Sequence, residues 1–302
     1  MRLEGIHHVS SITGDAQANV DFYAGVLGLR LVKKTVNQDD PTVYHLFYGD
    51  DAGSPGLDLT FFEYPGAGSG RAGQGMIHRI VLRVGSESAL DFWQQRLQGE
   101  RQSPGSFLFS DPEGLGLELR AVETADAPLV AQHPDIPREF AIQGFEEVRA
   151  YTADPERSRE LFERALGFER DGGMSWSVRG EDRGGRYVFD PAPPERGVPG
   201  AGTVHHVAWA SLDDEQVAWR DRVINGGAQP TPVIDRYWFK SVYFREPSGV
   251  LFEIATMGPG FAVDEEPAHL GERLVLPPKF EPLREQLEVT LTPIHSPAAT
   301  RS

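Results

Sequence analysis

The chain carries an internal repeat, and this repeat limits its fold more than any other feature of the sequence. Residues 5–10 read Gly-Ile-His-His-Val-Ser, and residues 203–208 read Thr-Val-His-His-Val-Ala. Related segments start near Met76 and Gly144, so the four starts lie roughly 60 to 70 residues apart. Spacing of this kind is typical of a chain that repeats one supersecondary unit.

Each unit shows the same order of predicted elements. An opening strand is followed by a helix, which matching apolar stripes at residues 18–29 and 157–168 predict for the first and third units. Both stripes stop at a Leu-Gly pair, where Gly28 and Gly167 suit a left-handed helix end. Three strands complete each unit, so we predict an α+β fold of four βαβββ modules. The module limits are 1–65, 76–123, 144–190 and 203–257, followed by a C-terminal extension at 258–302.

The composition excludes several classes of protein. The 302 residues include no cysteine, which rules out disulfides, thiolate nucleophiles and cysteine-ligated zinc. The formal net charge of −16 disfavours nucleic acids and anionic membranes as partners. The sequence has no apolar run long enough to cross a bilayer, and its first residues do not resemble a signal peptide. We expect a cytoplasmic protein, and a homo-oligomer is compatible with the sequence.

The two His-His pairs offer candidate metal ligands. Side chains alternate between the two faces of a strand, so the second histidine of each pair shares a face with small residues, Ser10 or Ala208. Small neighbours leave room for an ion, whereas the bulky residues of the other face pack against a helix. We therefore predict that His8 and His206 face the site, rather than the histidine before each.

A carboxylate completes the predicted ligand set. Glu253 lies in the last strand of the fourth module. Two imidazoles and one carboxylate leave open positions on an octahedral metal, an arrangement typical of non-haem Fe(II) oxygenases. We predict that His8, His206 and Glu253 bind Fe(II), with Mn(II) as the alternative metal.

Modules two and three provide an internal comparison. At the position of the ligand histidine, they carry Arg79 and Glu147. An arginine does not coordinate a metal, but it pairs with a carboxylate such as Glu118. We predict that these two modules bind no metal and perform no catalysis.

Several short motifs connect the chain with a known family. They occupy residues 6–9, 21–23, 32–37, 44–48, 205–206 and 249–253. With them, nearly the whole chain resembles the vicinal oxygen chelate superfamily, which includes glyoxalases, bleomycin- and fosfomycin-resistance proteins and type I extradiol dioxygenases. Residues 44–46, followed by residues 53–56, make it most similar to ring-cleaving dioxygenases that act on hydroquinones. The resemblance implies two open barrels, an active one from modules one and four and an empty one from modules two and three.

The same resemblance implies roles for residues around the metal. Tyr243 would be a hydrogen-bonding or acid–base group for the substrate oxygen, and a hairpin turn can bring it near Glu253. Arg236 would stabilise anionic phenolate or superoxide character. His7 and His205 match histidines that lie behind the metal ligands in the family. His45, by contrast, would pack in or orient a wall of the site.

The resulting functional prediction is an Fe(II)-dependent, extradiol-type ring-cleaving dioxygenase. Its partners would be O₂ and a small aromatic diol of the hydroquinone or catechol type. One alternative is a glyoxalase-like or fosfomycin-resistance-like metal enzyme, for which Glu63 is the nearby candidate for a fourth ligand. The other is a non-enzymatic binding protein of the bleomycin-sequestering type, against which the paired His8 and His206 argue.

Overall fold

The structure is a computed structural model that describes residues 1–102 and 105–295. Residues 103–104, within predicted module two, and 296–302, within the predicted extension, lie outside this description. The first eight strands are β1 (Ile6–Thr13), β2 (Arg30–Val36), β3 (Tyr44–Gly49), β4 (Asp58–Glu63), β5 (Ile77–Val84), β6 (Gly99–Gln102), β7 (Ser106–Ser110) and β8 (Gly116–Ala121). The next eight are β9 (Phe145–Thr152), β10 (Glu169–Gly172), β11 (Ser175–Arg179), β12 (Gly184–Pro191), β13 (Thr203–Ser211), β14 (Ile234–Asp235), β15 (Lys240–Arg245) and β16 (Leu251–Thr256).

The strands form two eight-stranded sheets of the same design. The first has the order β14-β15-β16-β13-β1-β4-β3-β2, and the second has the order β10-β11-β12-β9-β5-β8-β7-β6. In each sheet two four-stranded halves meet at an antiparallel central pair, β1 with β13 and β5 with β9. The predicted α+β class is confirmed, while the exact limits of the modules stay a prediction.

Two of the repeated helices depart from the continuous α-helix that their sequences predict. The first begins as α1 (Ala16–Val20) and continues as a π-helix over Asp21–Val26. Its counterpart has a 3₁₀ turn at Pro155–Ser158 followed by a π-helix at Leu161–Leu166. π-Helical turns are rare, and here one occurs at the equivalent place in the first and third repeats. Gly28 and Gly167 follow these helices with positive φ, as their positions predict.

The remaining helices are regular or short. They are α2 (Glu87–Arg96), α3 (Gln216–Asn225) and α4 (Arg284–Thr290), with 3₁₀ turns at Arg138–Phe140, Phe261–Val263, Pro267–His269 and Pro278–Leu283. Among the described residues, no helix combines the length and the apolar character needed to span a membrane.

The two sheets share one apolar core. Phe162, on the π-helix of the third repeat, stacks on Phe252 of β16 with ring centroids 5.7 Å apart, and it contacts Tyr187 of β12 at 5.3 Å. All three rings are fully buried. Because one helix packs against strands of both sheets, the sheets are held at a fixed relative position.

A network of ion pairs occupies the centre of the second sheet. Glu147 is 1% exposed and contacts Arg149 at 2.7 Å, Arg120 at 3.0 Å and Arg186 at 3.3 Å. Arg79 pairs with Glu118 at 3.2 Å, as its sequence position predicts. Charged side chains that are paired in this way can fill the interior of a sheet without a metal.

We expect Glu147→Gln to destabilise the fold. The change removes the negative charge that several partly buried arginines share, so the free energy of unfolding should fall by about 1–3 kcal/mol. Urea denaturation followed by circular dichroism measures it. Glu160→Gln, which alters an exposed pair with Arg164, should stay within about 0.5 kcal/mol of the unmodified protein. Equal effects of the two changes would show that the network contributes little.

Candidate metal centre

The histidine pairs lie at β-bulges in the central strand pair of the first sheet. Along the β1–β13 ladder, Ile6 and His8 are each paired with a residue of β13, whereas His7 between them has no paired residue. On the other strand, Val204 and His206 have partners and His205 is passed over. A bulge places two consecutive residues opposite one residue of the neighbouring strand and re-aims their side chains.

The bulges correct one expectation from strand alternation. Alternation predicts that His7 and His205 point away from the site, yet each ring contacts the ring of the histidine that follows it. The ring centroids are 5.0 Å apart for His7 and His8 and 5.1 Å apart for His205 and His206. Alternation fails here because the bulge interrupts the two-residue period on both strands.

The three predicted ligands converge in the structure. Nε2 of His8 and Nε2 of His206 are 3.2 Å apart. Oε2 of Glu253 lies 3.1 Å from the first nitrogen and 2.9 Å from the second. All three side chains are buried, with Glu253 completely inaccessible. They form the single group of three or more potential metal ligands found among residues 1–102 and 105–295.

The spacing of these atoms fits a metal ion. Oε2 of Glu253 is buried and takes part in no hydrogen bond. Two ligands at right angles, each about 2.1 Å from an ion, are about 3.0 Å apart, whereas a tetrahedral angle would separate them by about 3.4 Å. The observed distances of 2.9 to 3.2 Å lie near the range that two ligands of one ion span. The residues therefore fit a metal ion bound through two imidazoles and one carboxylate.

A hydrogen-bonded chain sets the tautomer of His8. Nε2 of His7 lies 3.1 Å from the carbonyl oxygen of Thr256, and Nδ1 of His7 lies 3.0 Å from Nδ1 of His8. A carbonyl only accepts, so His7 carries its proton on Nε2 and accepts through Nδ1 the proton of His8 Nδ1. Nε2 of His8 is then left with a lone pair directed at the triad. Such supporting contacts orient ligand imidazoles in metal sites.

His205 contacts His206 in the same way, since their Nδ1 atoms are 2.7 Å apart. Burial lowers the pKa of His7 to about 3. Burial also lowers the pKa of His206, although Glu253 partly opposes the effect. The neutral imidazole, which is the form that binds metals, is thus favoured at these positions.

Glu253 is held in place and ionised. Its other oxygen, Oε1, accepts a hydrogen bond of 2.5 Å from the hydroxyl of Ser241 on the neighbouring strand. Burial raises the pKa of the Glu253 carboxyl, but the charges and hydrogen bonds of His8 and His206 in their protonated forms outweigh burial and hold this pKa well below its usual value.

Tyr243 and Arg236 lie beside the triad. Tyr243 is directly opposite Glu253 in the β15–β16 hairpin, and its ring is 5.8 Å from that of His206. Nε of Arg236 donates to the Tyr243 hydroxyl at 3.3 Å. Burial and the charge of Glu253 raise the pKa of Tyr243, so the phenol is protonated at neutral pH. Both side chains line the cavity that opens on His8 and His206.

The cavity has largely aromatic walls. His45 also lines it, between the rings of Phe47 at 4.0 Å and Phe62 at 4.2 Å, and its Nε2 lies 2.9 Å from the Thr60 hydroxyl. This agrees with the wall position expected for His45. Trp238 and Phe239 supply the opposite wall. Walls of this character suit a flat aromatic ring.

Sequence reasoning missed one polar contact at the cavity. Asp39 binds the guanidinium of Arg236 through both oxygens, at 2.9 and 2.8 Å. These residues are almost 200 positions apart in the chain, and no motif links them. A signal was present only indirectly, because Asp39 follows the segment 32–37 that carries part of the family resemblance.

Glu63, the candidate for a fourth ligand, lies on the other face of its strand. Its Oε1 accepts a hydrogen bond from the backbone nitrogen of Ala16 at 3.2 Å, at the start of α1. The register shows which residue takes the place of Glu253 in the first repeat. In the fourth repeat, Ala208 lies two residues after His206 and is paired with Glu253. In the first repeat, Ser10 lies two residues after His8 and is paired with Thr60. A hydroxyl therefore stands where a second carboxylate ligand would be required.

Comparison with known proteins agrees with this geometry. A sequence model described as the Glyoxalase/Bleomycin resistance protein/Dioxygenase superfamily matches residues 5–119 and 144–254. A Bacillus subtilis protein named "Putative ring-cleaving dioxygenase MhqO" is 42% identical over 301 residues, which cover 96% of either chain. The chlorohydroquinone/hydroquinone 1,2-dioxygenase of Sphingobium indicum is 32% identical, again with 96% of either chain covered.

Solved structures show the same fold. A crystal structure titled "putative dioxygenase" from Bacillus subtilis superposes with a TM-score of 0.90, at 40% identity and with 98% of either chain covered. Glyoxalase I from Zea mays superposes with a TM-score of 0.56 at 16% identity, covering 89% of this chain and 96% of its own. The second likeness, at this low identity, concerns the fold alone.

We expect one metal ion per chain. His206→Ala should abolish metal binding, because it removes one of three ligands, and circular dichroism should show that the fold survives. His78→Ala provides the control, since His78 occupies the corresponding bulge of the second sheet. Metal analysis after loading and desalting measures the content. Two ions per chain, or full retention by His206→Ala, would contradict the assignment.

We expect His7→Ala to weaken metal binding without abolishing it. Loss of the contact that fixes the His8 ring should lower metal affinity by about 10- to 100-fold. Competition with a chromophoric chelator measures this affinity. An affinity equal to that of the unmodified protein would show that His7 only fills space.

Proposed function

Because the chain belongs to the glyoxalase, bleomycin resistance protein and dioxygenase superfamily, we propose that it is a ring-cleaving dioxygenase of aromatic diols. The resident metal is Fe(II), with Mn(II) as the alternative, and the ligands are His8, His206 and Glu253. The substrates are O₂ and a hydroquinone or catechol. The protein names of the two relatives support this reaction class.

One observation carries the proposal. Three ligand atoms lie 2.9 to 3.2 Å from one another, and the cavity opens beside them between aromatic walls. A metal held by only three protein ligands would leave room for two reactants. An aromatic diol and O₂ need this arrangement, because both must meet at one centre before the ring is opened.

The metal supplies a centre that orients the diol and O₂ together and passes electrons between them. The chain supplies the remaining functions. Arg236 lies at the cavity with a permanent positive charge and stabilises the phenolate that a diol becomes when one hydroxyl loses its proton. Tyr243 is protonated at neutral pH and donates a hydrogen bond to the developing anionic oxygen. His7 and His205 hold the two ligand rings in position.

The overall reaction is balanced without an external reductant. Both atoms of O₂ enter the product, and a carbon–carbon bond next to a hydroxylated carbon is broken, which is extradiol-type cleavage. The electrons come from the ring itself. Oxygen uptake should therefore equal the amount of diol consumed.

The rival functions have less support from the site. A glyoxalase-like enzyme needs a fourth protein ligand from the first repeat, where Thr60 occupies the required place and Glu63 faces α1. A binding protein of the bleomycin-sequestering type has no use for three buried, converging metal ligands. Such a binding protein also does not account for the hydrogen-bonded chain behind His8.

We expect Fe(II)-loaded protein to consume O₂ and hydroquinone in a one-to-one ratio with no added reductant. An oxygen electrode and product analysis measure the ratio across a panel of hydroquinones and catechols. No oxygen uptake with any diol by protein that retains its iron would contradict the proposal and favour the glyoxalase-like alternative.

Tyr243→Phe should slow turnover by roughly ten- to ten-thousand-fold, since it removes a donor to the substrate oxygen. Metal content should be unchanged because the ligands are untouched. Tyr151→Phe is a suitable control, since Tyr151 stacks on His78 in the second sheet. Equal rates for the two variants would remove the role given to Tyr243 but leave the reaction class in place.

A further inference from the structure

The first sheet is open, and a segment of the C-terminal extension bridges its two edges. The edge strands are β2 and β14. The backbone nitrogen of Val275 donates to the carbonyl of Lys34 on β2 at 2.9 Å. Near the other edge, the nitrogen of Gly260 donates to the carbonyl of Trp238 at 2.9 Å. We call residues 258–276 the strap, because they connect the two sides of the open barrel.

A buried lysine holds the strap against β2. Lys33 has no exposed surface, and its Nζ donates to the carbonyl of Phe261 at 3.1 Å and to Oδ1 of Asp264 at 2.8 Å. It also contacts Oε2 of Glu265. All three partners belong to the strap. A fully buried ammonium group is costly unless it is paired, so its retention here points to a specific task.

The strap connects this lysine with the wall of the cavity. The second oxygen of Asp264 accepts a hydrogen bond from Nε1 of Trp238 at 3.0 Å. Lys33 also lies over the Trp238 ring, 5.2 Å from its centroid. On the other side, Phe261 of the strap packs against Phe47 with ring centroids 5.0 Å apart. Trp238 and Phe47 both line the cavity, so the strap supports its walls from behind.

The supported loop also carries Arg236. It joins β14 to β15, and Tyr237, between Arg236 and Trp238, has a φ of 74°, which is unfavourable for a non-glycine residue. A strained conformation persists only where the surroundings hold it. The Trp238 side of the loop is held by Asp264, and the Arg236 side by Asp39.

We propose that Lys33 is a positioning residue, which anchors the strap and thereby holds the Trp238 wall and Arg236 in place for the substrate. The anchoring is independent of the reaction, whereas the effect on the substrate rests on the proposed function. Lys33 itself does not touch the reactants.

The test compares Lys33→Met with Lys34→Met. Lys34 is the next residue on the same strand, and its ammonium also contacts the strap, but through a single exposed hydrogen bond of 3.3 Å to the carbonyl of Glu272. Limited trypsin digestion of the metal-loaded full chain, followed by mass spectrometry, reports cleavage after Arg273 in the strap. Lys33→Met should be cut there at least about tenfold faster than the unmodified protein, and Lys34→Met, which loses only one exposed contact, at most about twofold faster. Equal protection of the strap in both variants would overturn the anchoring role.

Kinetics with hydroquinone tests the positioning role. Lys33→Met should raise KM about tenfold while metal content is unchanged, because a misplaced Arg236 and Trp238 weaken binding of the diol. Lys34→Met should keep the original KM. An unchanged KM for Lys33→Met, with the strap loosened, would overturn positioning. Since digestion needs no substrate, a protein that turned over no diol would still report on the anchor.

A second variant covers the case in which Lys33→Met does not fold. Asp264→Leu removes the link between Lys33 and Trp238 from the strap side, with Glu266→Leu as an exposed neighbour for control. Faster cleavage after Arg273 in Asp264→Leu, but not in Glu266→Leu, supports the anchor. The same rate in both would refute it.

Discussion

The antiparallel pairing of β1 with β13, together with its two bulges, is the constraint on which the candidate metal centre depends. The bulges bring all four histidines of two sequence-distant pairs together, two at the triad and two behind them. Glu253 reaches the same point because β16 is the neighbour of β13. The triad is therefore a consequence of strand register, with no flexible loop supplying a ligand.

The equivalent bulges in the second sheet show that they belong to the repeated unit and not to the metal. Along the β5–β9 ladder, His78 and Glu146 are passed over just as His7 and His205 are. At the centre of that sheet, arginines and glutamates pair with one another. The same bulged strand pair thus accommodates two kinds of buried polar group, a set of potential metal ligands in the first sheet and an ion-pair network in the second.

Much of the fold and of the candidate site could be predicted from the sequence, because the same motifs occur in several repeats. The α+β class and the family followed from repeated motifs, and the convergence of His8, His206 and Glu253 followed from small neighbours and strand order. The expectation that His7 and His205 point away from the site was wrong, since a bulge leaves no mark in the polarity pattern of one strand. Asp39 and the strap were not found because their partners are some 200 residues away. Such contacts depend on how the two edges of the sheet are brought together.

The core shared by the two sheets has a consequence for the order of assembly. Phe162 joins β12 to β16, and the ion pairs of the second sheet need no cofactor. The polypeptide can consequently complete its architecture without an ion. If the triad binds the proposed metal, it does so as a preorganised chelate, and metalation of the folded apoprotein is then governed by ion supply and exchange kinetics.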